Sequence, residues 1–441
     1  MSARRDGPAP TETRQRVAAL DDTLIDDTHK GWPATRAPAR LGELGRLGLD
    51  LLRGDLCLPV AVLKERALDN NARWLRVFLD ATGATLAPHG KTTMSPQLFL
   101  RQLDDGAWGI TVATVHQLQV CRRFGVPRLL LANQLVDDAA LAVVVAELAK
   151  DEGFEVVALA DSLEGVRKAA AAARAGGLHR PLRLMVEVGF AGGRTGCRGR
   201  EQALDVARAI ADDSALALVG VEGFEGLIHS SDVEADVRAV CSFLDEVVGV
   251  ARAAAAEGLF APGPVLLSAG GSAYYDLVAE RLGKSGVDGA QVLLRAGCYL
   301  THDAAVYAGA HADARRRLAA QHHVPGELVP ALELLAVVLS RPERERAILG
   351  LGKRDVGNDY GPPVVLAMSS AGAPPAPLAA HVVVELNDQH AHLRVPADSP
   401  LAVGDVVLLG ISHPCTTFDK WRVLFTVDDR YRVLGAVRTF F

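Results

Sequence analysis

The chain has 441 residues, of which 49% are hydrophobic and 23% charged, with a formal net charge of −6 and a pI near 6.1. This balance excludes a wholly disordered chain, and its acidity gives no global drive toward nucleic acid. Six cysteines, at 57, 121, 197, 241, 298 and 415, are too few and too scattered for a disulfide framework at this length, which points to a reducing cytosol.

Residues 1–6 are charged with no apolar signal run after them, so export is not expected. The longest apolar stretches, such as 139–149 with Glu147 inside, are too short to span a membrane. Residues 1–55 read as an N-terminal arm that packs on the body or on a neighbouring subunit, with a short leucine-spaced helix at 41–52. Residues 56–63 read as a strand and 64–80 as a helix with Leu68, Ala72, Leu75 and Leu79 on one face, broken at Thr82-Gly83. The segment 56–70 is assigned to a strand that joins a C-terminal β domain.

Ala84-Thr85-Leu86-Ala87 has the length of a short buried strand, and Pro88-His89-Gly90-Lys91-Thr92-Thr93 follows it. A lysine where a strand runs out into a loop suits attack on an aldehyde if packing strips it of water and lowers its pKa. On residue type alone the simpler reading is an ordinary surface lysine beside a turn. Apolar runs at 109–113, 128–132, 154–159, 182–188, 217–222, 265–269 and 290–295 then alternate with alanine-rich amphipathic segments. With the lysine strand they make eight candidates. Such alternation argues a parallel sheet covered on both faces, and a closed (β/α)8 barrel over 71–320 fits it better than the alternative, an open doubly wound sheet.

Residues 321–441 change texture. Strand candidates at 328–338, 346–350, 381–386, 392–395, 406–410 and 421–427 are separated by glycine- and proline-rich turns, which predicts a β domain. His413 and Cys415, two apart, would share one face of a strand and offer imidazole plus thiolate, a pair suited to Zn²⁺; Pro414 between them also allows a turn. His229, past a candidate barrel strand, could be a base or orienting group or an ordinary histidine. Gly270-Gly271-Ser272, after the strand at 265–269, read as a generic Gly-Gly turn or as one whose backbone N–H groups and hydroxyl converge on a dianion.

Pro88-His89-Gly90-Lys91-Thr92 and Ser412-His413-Pro414-Cys415 resemble the matching segments of the D-serine dehydratase and D-threonine aldolase family, and the likeness extends from about Leu58 to the end. The resemblance implies an α/β fold: a pyridoxal 5'-phosphate (PLP) binding (β/α)8 barrel of the alanine racemase type plus a C-terminal β domain carrying the metal. It implies Lys91 as the PLP lysine that also handles the α-proton, and Arg194 beside the cofactor ring. It further implies Gly270, Gly271 and Ser272 at the phosphate, Tyr299 as a cofactor-side hydroxyl, and His413 and Cys415 on a divalent metal, with Zn²⁺ favoured. His390, in Asn387-Asp388-Gln389-His390, is a candidate near the metal. The implied partners are a small D-3-hydroxy amino acid and a second copy in a homodimer, without nucleic acid or membrane. β-Elimination to a 2-oxo acid and ammonia is the leading expectation; retro-aldol cleavage to glycine and an aldehyde, or PLP binding without turnover, are the alternatives. Gly90, Met94-Ser95-Pro96 and Phe418-Asp419-Lys420-Trp421 depart from the family pattern and leave the substrate open.

Overall fold

The computed structural model describes residues 9–230, 232–319 and 324–441, so the charged start at 1–6 and the expected boundary at 320–321 lie outside the described residues. Among the described residues eight parallel barrel strands run in the order Thr85–Leu86, Ala290–Leu294, Val265–Ala269, Leu216–Gly223, Leu182–Gly189, Glu155–Ala160, Arg128–Gln134 and Ile110–Val112. The ring closes where the Trp108 N–H donates to the Leu86 carbonyl at 2.7 Å and the Thr111 N–H to the Pro88 carbonyl at 2.9 Å. The strands are apolar on both faces because both are buried. Leu130, Val157, Met185, Val219 and Leu266 fill the barrel interior, while Leu129, Val156, Leu184, Leu218 and Leu267 pack outward against the helices.

Local signals set the helix limits. Ser162 and Asp232 cap the helices Leu163–Ala175 and Val233–Ala256, accepting from the N–H groups of Gly165 and Ala235. Glu65–Thr82 buries Leu68, Ala72, Leu75 and Phe78 and stops at Gly83, whose left-handed φ of 71° ends the α-helix.

The expected β domain is present. Leu332–Glu343 runs antiparallel to Val406–Gly410 and to Val60–Lys64, and Val60–Lys64 lies parallel to Val423–Val427. A strand preceding the barrel is thus built into the sheet that follows it, which ties that sheet to the barrel's entry. Three strands of this sheet, Val364–Ser369, Ala376–Pro377 and Val433–Arg438, have no counterpart in the sequence reading.

Ile25, Trp32, Leu44, Leu49 and Leu51 of the N-terminal segment form one apolar cluster with Val60, Leu335, Leu408 and Phe425, so the segment packs on the C-terminal sheet. The helix expected at 41–52 is two short 3-10 turns, Leu41–Arg46 and Leu51–Arg53. Close packing explains the difference: a Cβ on Gly45 would stand 2.1 Å from the Leu434 carbonyl oxygen, so the backbone is pressed against the strand. No helix among the described residues is long and apolar enough to cross a membrane.

Candidate active site

Lys91 lies on the turn Gly90–Thr92, directly past the first barrel strand. The turn is held by close packing. A Cβ on Gly90 would meet Ile110 Cγ2 at 2.8 Å, and a Cβ on Gly297, past the last strand, would meet the His89 carbonyl oxygen at 2.6 Å and Thr92 Oγ1 at 2.8 Å. The two ends of the ring of strands therefore meet at the lysine turn. The Lys91 side chain is exposed, so this chain by itself does not supply the desolvation expected of it. His89 accepts the Lys91 N–H through Nδ1 at 3.4 Å. Burial, then the charges of Lys91, Arg295 and Arg194, hold the imidazole well below its ordinary pKa and keep it neutral.

Arg194 is exposed on the loop after Leu182–Gly189, its guanidinium 4.7 Å from the centre of the Phe224 ring. Arg198 fixes that loop by donating to the carbonyls of Thr195 at 2.8 Å and Gly196 at 2.5 Å, and Thr195 Oγ1 donates to Glu187 at 2.8 Å. Deeper in the barrel mouth, Arg295 pairs with Glu222 at 2.5 Å, both side chains buried, and donates to the Gly223 carbonyl at 2.8 Å. Burial pushes the Glu222 carboxyl up to about 7 against the opposing pull of Arg295.

The glycine turn follows Val265–Ala269. The Gly271 N–H donates to Glu225 Oε1 at 2.7 Å, and Ser272 Oγ accepts from the Cys298 N–H at 3.4 Å. Glu225 is fully buried, which raises its carboxyl above the ordinary range, and its second oxygen has no hydrogen-bond partner among the described residues, so the turn already donates to a carboxyl oxygen. A primary amine at a strand end, guanidinium groups around the mouth and an oxyanion-accepting glycine turn are a donor set that fits PLP.

Cys298, His413 and Cys415 converge with their ligand atoms within 4.8 Å of one another. The Cys298 and Cys415 sulfurs are 3.8 Å apart, and Cys415 Sγ lies 3.3 Å from Thr92 Oγ1. His413 and Cys415 sit on a turn rather than a strand, Cys415 opening the one-turn helix Cys415–Phe418. Asp359 holds His413 Nδ1 at 2.6 Å and accepts from Thr416 Oγ1 at 2.7 Å, so Nε2 is the ring nitrogen left to ligate an ion. Hydrogen bonding from Cys298 and His413 drives the Cys415 thiol well below its usual range despite burial, whereas Cys298 is raised. Soft thiolate and imidazole donors fit Zn²⁺.

Of the remaining predicted residues, His390 and His229 lie apart from the metal cluster. His390 is exposed on the turn between Val382–Leu386 and Ala391–Arg394 and is not part of the cluster. His229 is exposed on the loop after Leu216–Gly223, with no hydrogen bond from its ring to the Lys91 turn among the described residues. Tyr299 is buried beside Gln102, with Asp105, Arg101 and Arg76 as its charged neighbours, and lines a small cavity together with Ser272 and Cys298. Sequence reasoning missed Asp359, Glu222, Arg295, Glu225 and the ligand role open to Cys298. A cysteine three residues past Arg295 at the last strand's end was the one available signal.

Residues 331–427 match a family model described as "Putative serine dehydratase domain", a span that holds His413 and Cys415. The chain is 26% identical over 373 residues to a D-threonine aldolase of Arthrobacter sp., covering 84% of this chain and 89% of that protein. It is 27% identical over 380 residues to a 3-hydroxy-D-aspartate aldolase of Paracoccus denitrificans (strain Pd 1222), covering 85% and 90%. The D-threonine aldolase from Filomicrobium marinum superposes with a TM-score of 0.73 at 22% identity, over 91% of this chain and 98% of that one. Solved alanine racemases share the architecture.

These matches and the fold define the class: a PLP-dependent lyase with an alanine racemase-type barrel and a C-terminal β domain. Within that class the chain resembles the D-serine dehydratase and D-threonine aldolase family along most of its length.

Proposed function

We propose that this lyase cleaves a D-3-hydroxy amino acid between Cα and Cβ, giving glycine and an aldehyde, with PLP and a divalent metal, Zn²⁺ favoured. The observation that carries the reading is the 3.3 Å separation of Thr92 Oγ1 from Cys415 Sγ, since Thr92 adjoins the cofactor lysine and Cys415 belongs to the metal cluster. A small amino acid can then offer its amine to one and its β-hydroxyl to the other. Cleavage takes precedence over the β-elimination expected from the sequence because the two curated relatives described above are both aldolases.

PLP, when bound, withdraws electrons from Cα, and the metal acts as a Lewis acid toward the hydroxyl. Lys91 Nζ would hold the cofactor's aldehyde carbon and would deliver to Cα the proton that replaces the broken Cα–Cβ bond, balancing the proton lost from the β-hydroxyl. Arg194 holds the phenolic oxygen as an anion. The turn at Gly270, Gly271 and Ser272 would hold the phosphate, the Gly271 N–H that now donates to Glu225 being one of its donors. His413 and Cys415 seat the metal, and Asp359 fixes the imidazole tautomer. With the amine and hydroxyl anchored at fixed points, one enantiomer alone can turn its α-substituents correctly toward Lys91.

Dehydration to a 2-oxo acid and ammonia is the second reading, favoured by the serine dehydratase domain match over the metal-ligand segment. A panel of D- and L-3-hydroxy amino acids, assayed for glycine, aldehyde, 2-oxo acid and ammonia, separates the two. Glycine and aldehyde from a D substrate support cleavage. Ammonia and 2-oxo acid without glycine overturn it, and faster turnover of an L substrate overturns the stereochemistry. We also assign the protein to a reducing cytosol, as its six free cysteines suit, and to a homodimer testable by light scattering.

A further inference from the structure

We infer that Cys298 is a third protein ligand of the metal, so that the ion fastens the barrel mouth to the C-terminal β domain; this rests on the metal reading of His413 and Cys415 proposed above. Those two residues lie in the β domain, past Val406–Gly410, whereas Cys298 stands four residues beyond Ala290–Leu294, the last strand of the barrel. The geometry suits one ion. Two thiolates bound about 2.3 Å from a tetrahedral centre lie about 3.8 Å apart. The Cys298 and Cys415 sulfurs are 3.8 Å apart, and the three ligand atoms fall within 4.8 Å of one another.

Cys298 is also held in place for the task. It is 4% exposed, its backbone N–H donates to Ser272 Oγ, and Gly297 before it is wedged against the His89 carbonyl. The barrel thus presents a fixed sulfur to a site whose other donors arrive from a different part of the chain. A Cys₂His set leaves one tetrahedral position for a substrate oxygen and selects a soft ion over Mn²⁺. It also couples the ion to the glycine turn through Ser272.

The test uses the PLP-loaded full chain, stripped of metal and titrated with Co²⁺ and Zn²⁺ alone. Wild type should show thiolate-to-cobalt absorption from two sulfurs. Cys298→Ala and Cys298→Ser should each lose about half of it and weaken Zn²⁺ binding more than about tenfold, the range lost when an outer partner alone is removed. Zinc should also slow hydrogen exchange in residues 295–301 and 411–418 together in wild type, but not in 295–301 of Cys298→Ala. Retained PLP in each variant reports a folded barrel. Unchanged absorption and affinity in both Cys298 variants, with loss in His413→Ala and Cys415→Ala, would overturn the third ligand while leaving the two-ligand site standing. Unchanged metal binding in all four variants would overturn both readings.

Discussion

Thr92 Oγ1 lies 3.3 Å from Cys415 Sγ, across 323 residues of sequence. That contact puts the barrel's lysine turn and the β domain's thiol in one site, and it makes the position of each depend on the packing of the other. The consequences can be measured residue by residue.

Asp359→Asn keeps a hydrogen-bonding side chain beside His413 but removes the charge that fixes its Nδ1. Metal affinity should fall about 10–100-fold, as for other partners of ligating histidines, while PLP content stays at the wild-type level. Metal and PLP analysis of dialysed protein checks this, and unchanged metal affinity would show that Asp359 serves the turn alone.

Gly297→Ala should destabilise the protein by about 1–3 kcal/mol, the usual cost of forcing a methyl into a packed site. Its Cβ would press on the His89 carbonyl, which is backbone and cannot rotate away, and on Thr92. Thermal unfolding measures the cost. Weakened PLP affinity in the same variant would show the lysine turn being displaced, whereas wild-type stability would mean the turn relaxes freely.

Glu222 sets a pH dependence of stability in the cofactor-free protein. Burial raises its folded pKa to about 7 from the ordinary 4.5, so the folded state resists its ionisation. Its favourable contribution is complete below the unfolded value and is lost as pH rises through about 7, amounting to at most about 3 kcal/mol. Denaturant midpoints measured from pH 4.5 to 8 should fall with rising pH less steeply in Glu222→Gln than in wild type. Equal slopes would show that Arg295 keeps Glu222 ionised across the range.

The barrel was legible because its strands are continuous apolar runs between amphipathic helices, a pattern set by burial on both faces. The strand Val364–Ser369 was not, since Pro362-Pro363 before it reads as turn, and Gly435 interrupts the alternation in Val433–Arg438. The turn at 41–46 was misread because leucine spacing is visible locally while the press of Gly45 on Leu434 comes from the far end of the chain. At the site, the family-like wording of 88–92 and 412–415 singled out the lysine and the imidazole–thiol pair, which residue type alone left open. Partnership did not show: Cys298 meets Cys415 from 117 residues away, and Asp359 lies in a glycine- and proline-rich stretch whose composition speaks only of a turn.

The central claim is that the cofactor is carried at Lys91, beside the Cys298, His413 and Cys415 cluster. It is tested most directly by reducing the PLP-loaded protein with borohydride and mapping the pyridoxyl group by peptide mass spectrometry. The expected result is a single adduct on the peptide containing Lys91, absent from Lys91→Ala. An adduct on any other lysine, or none in the presence of excess PLP, would contradict it.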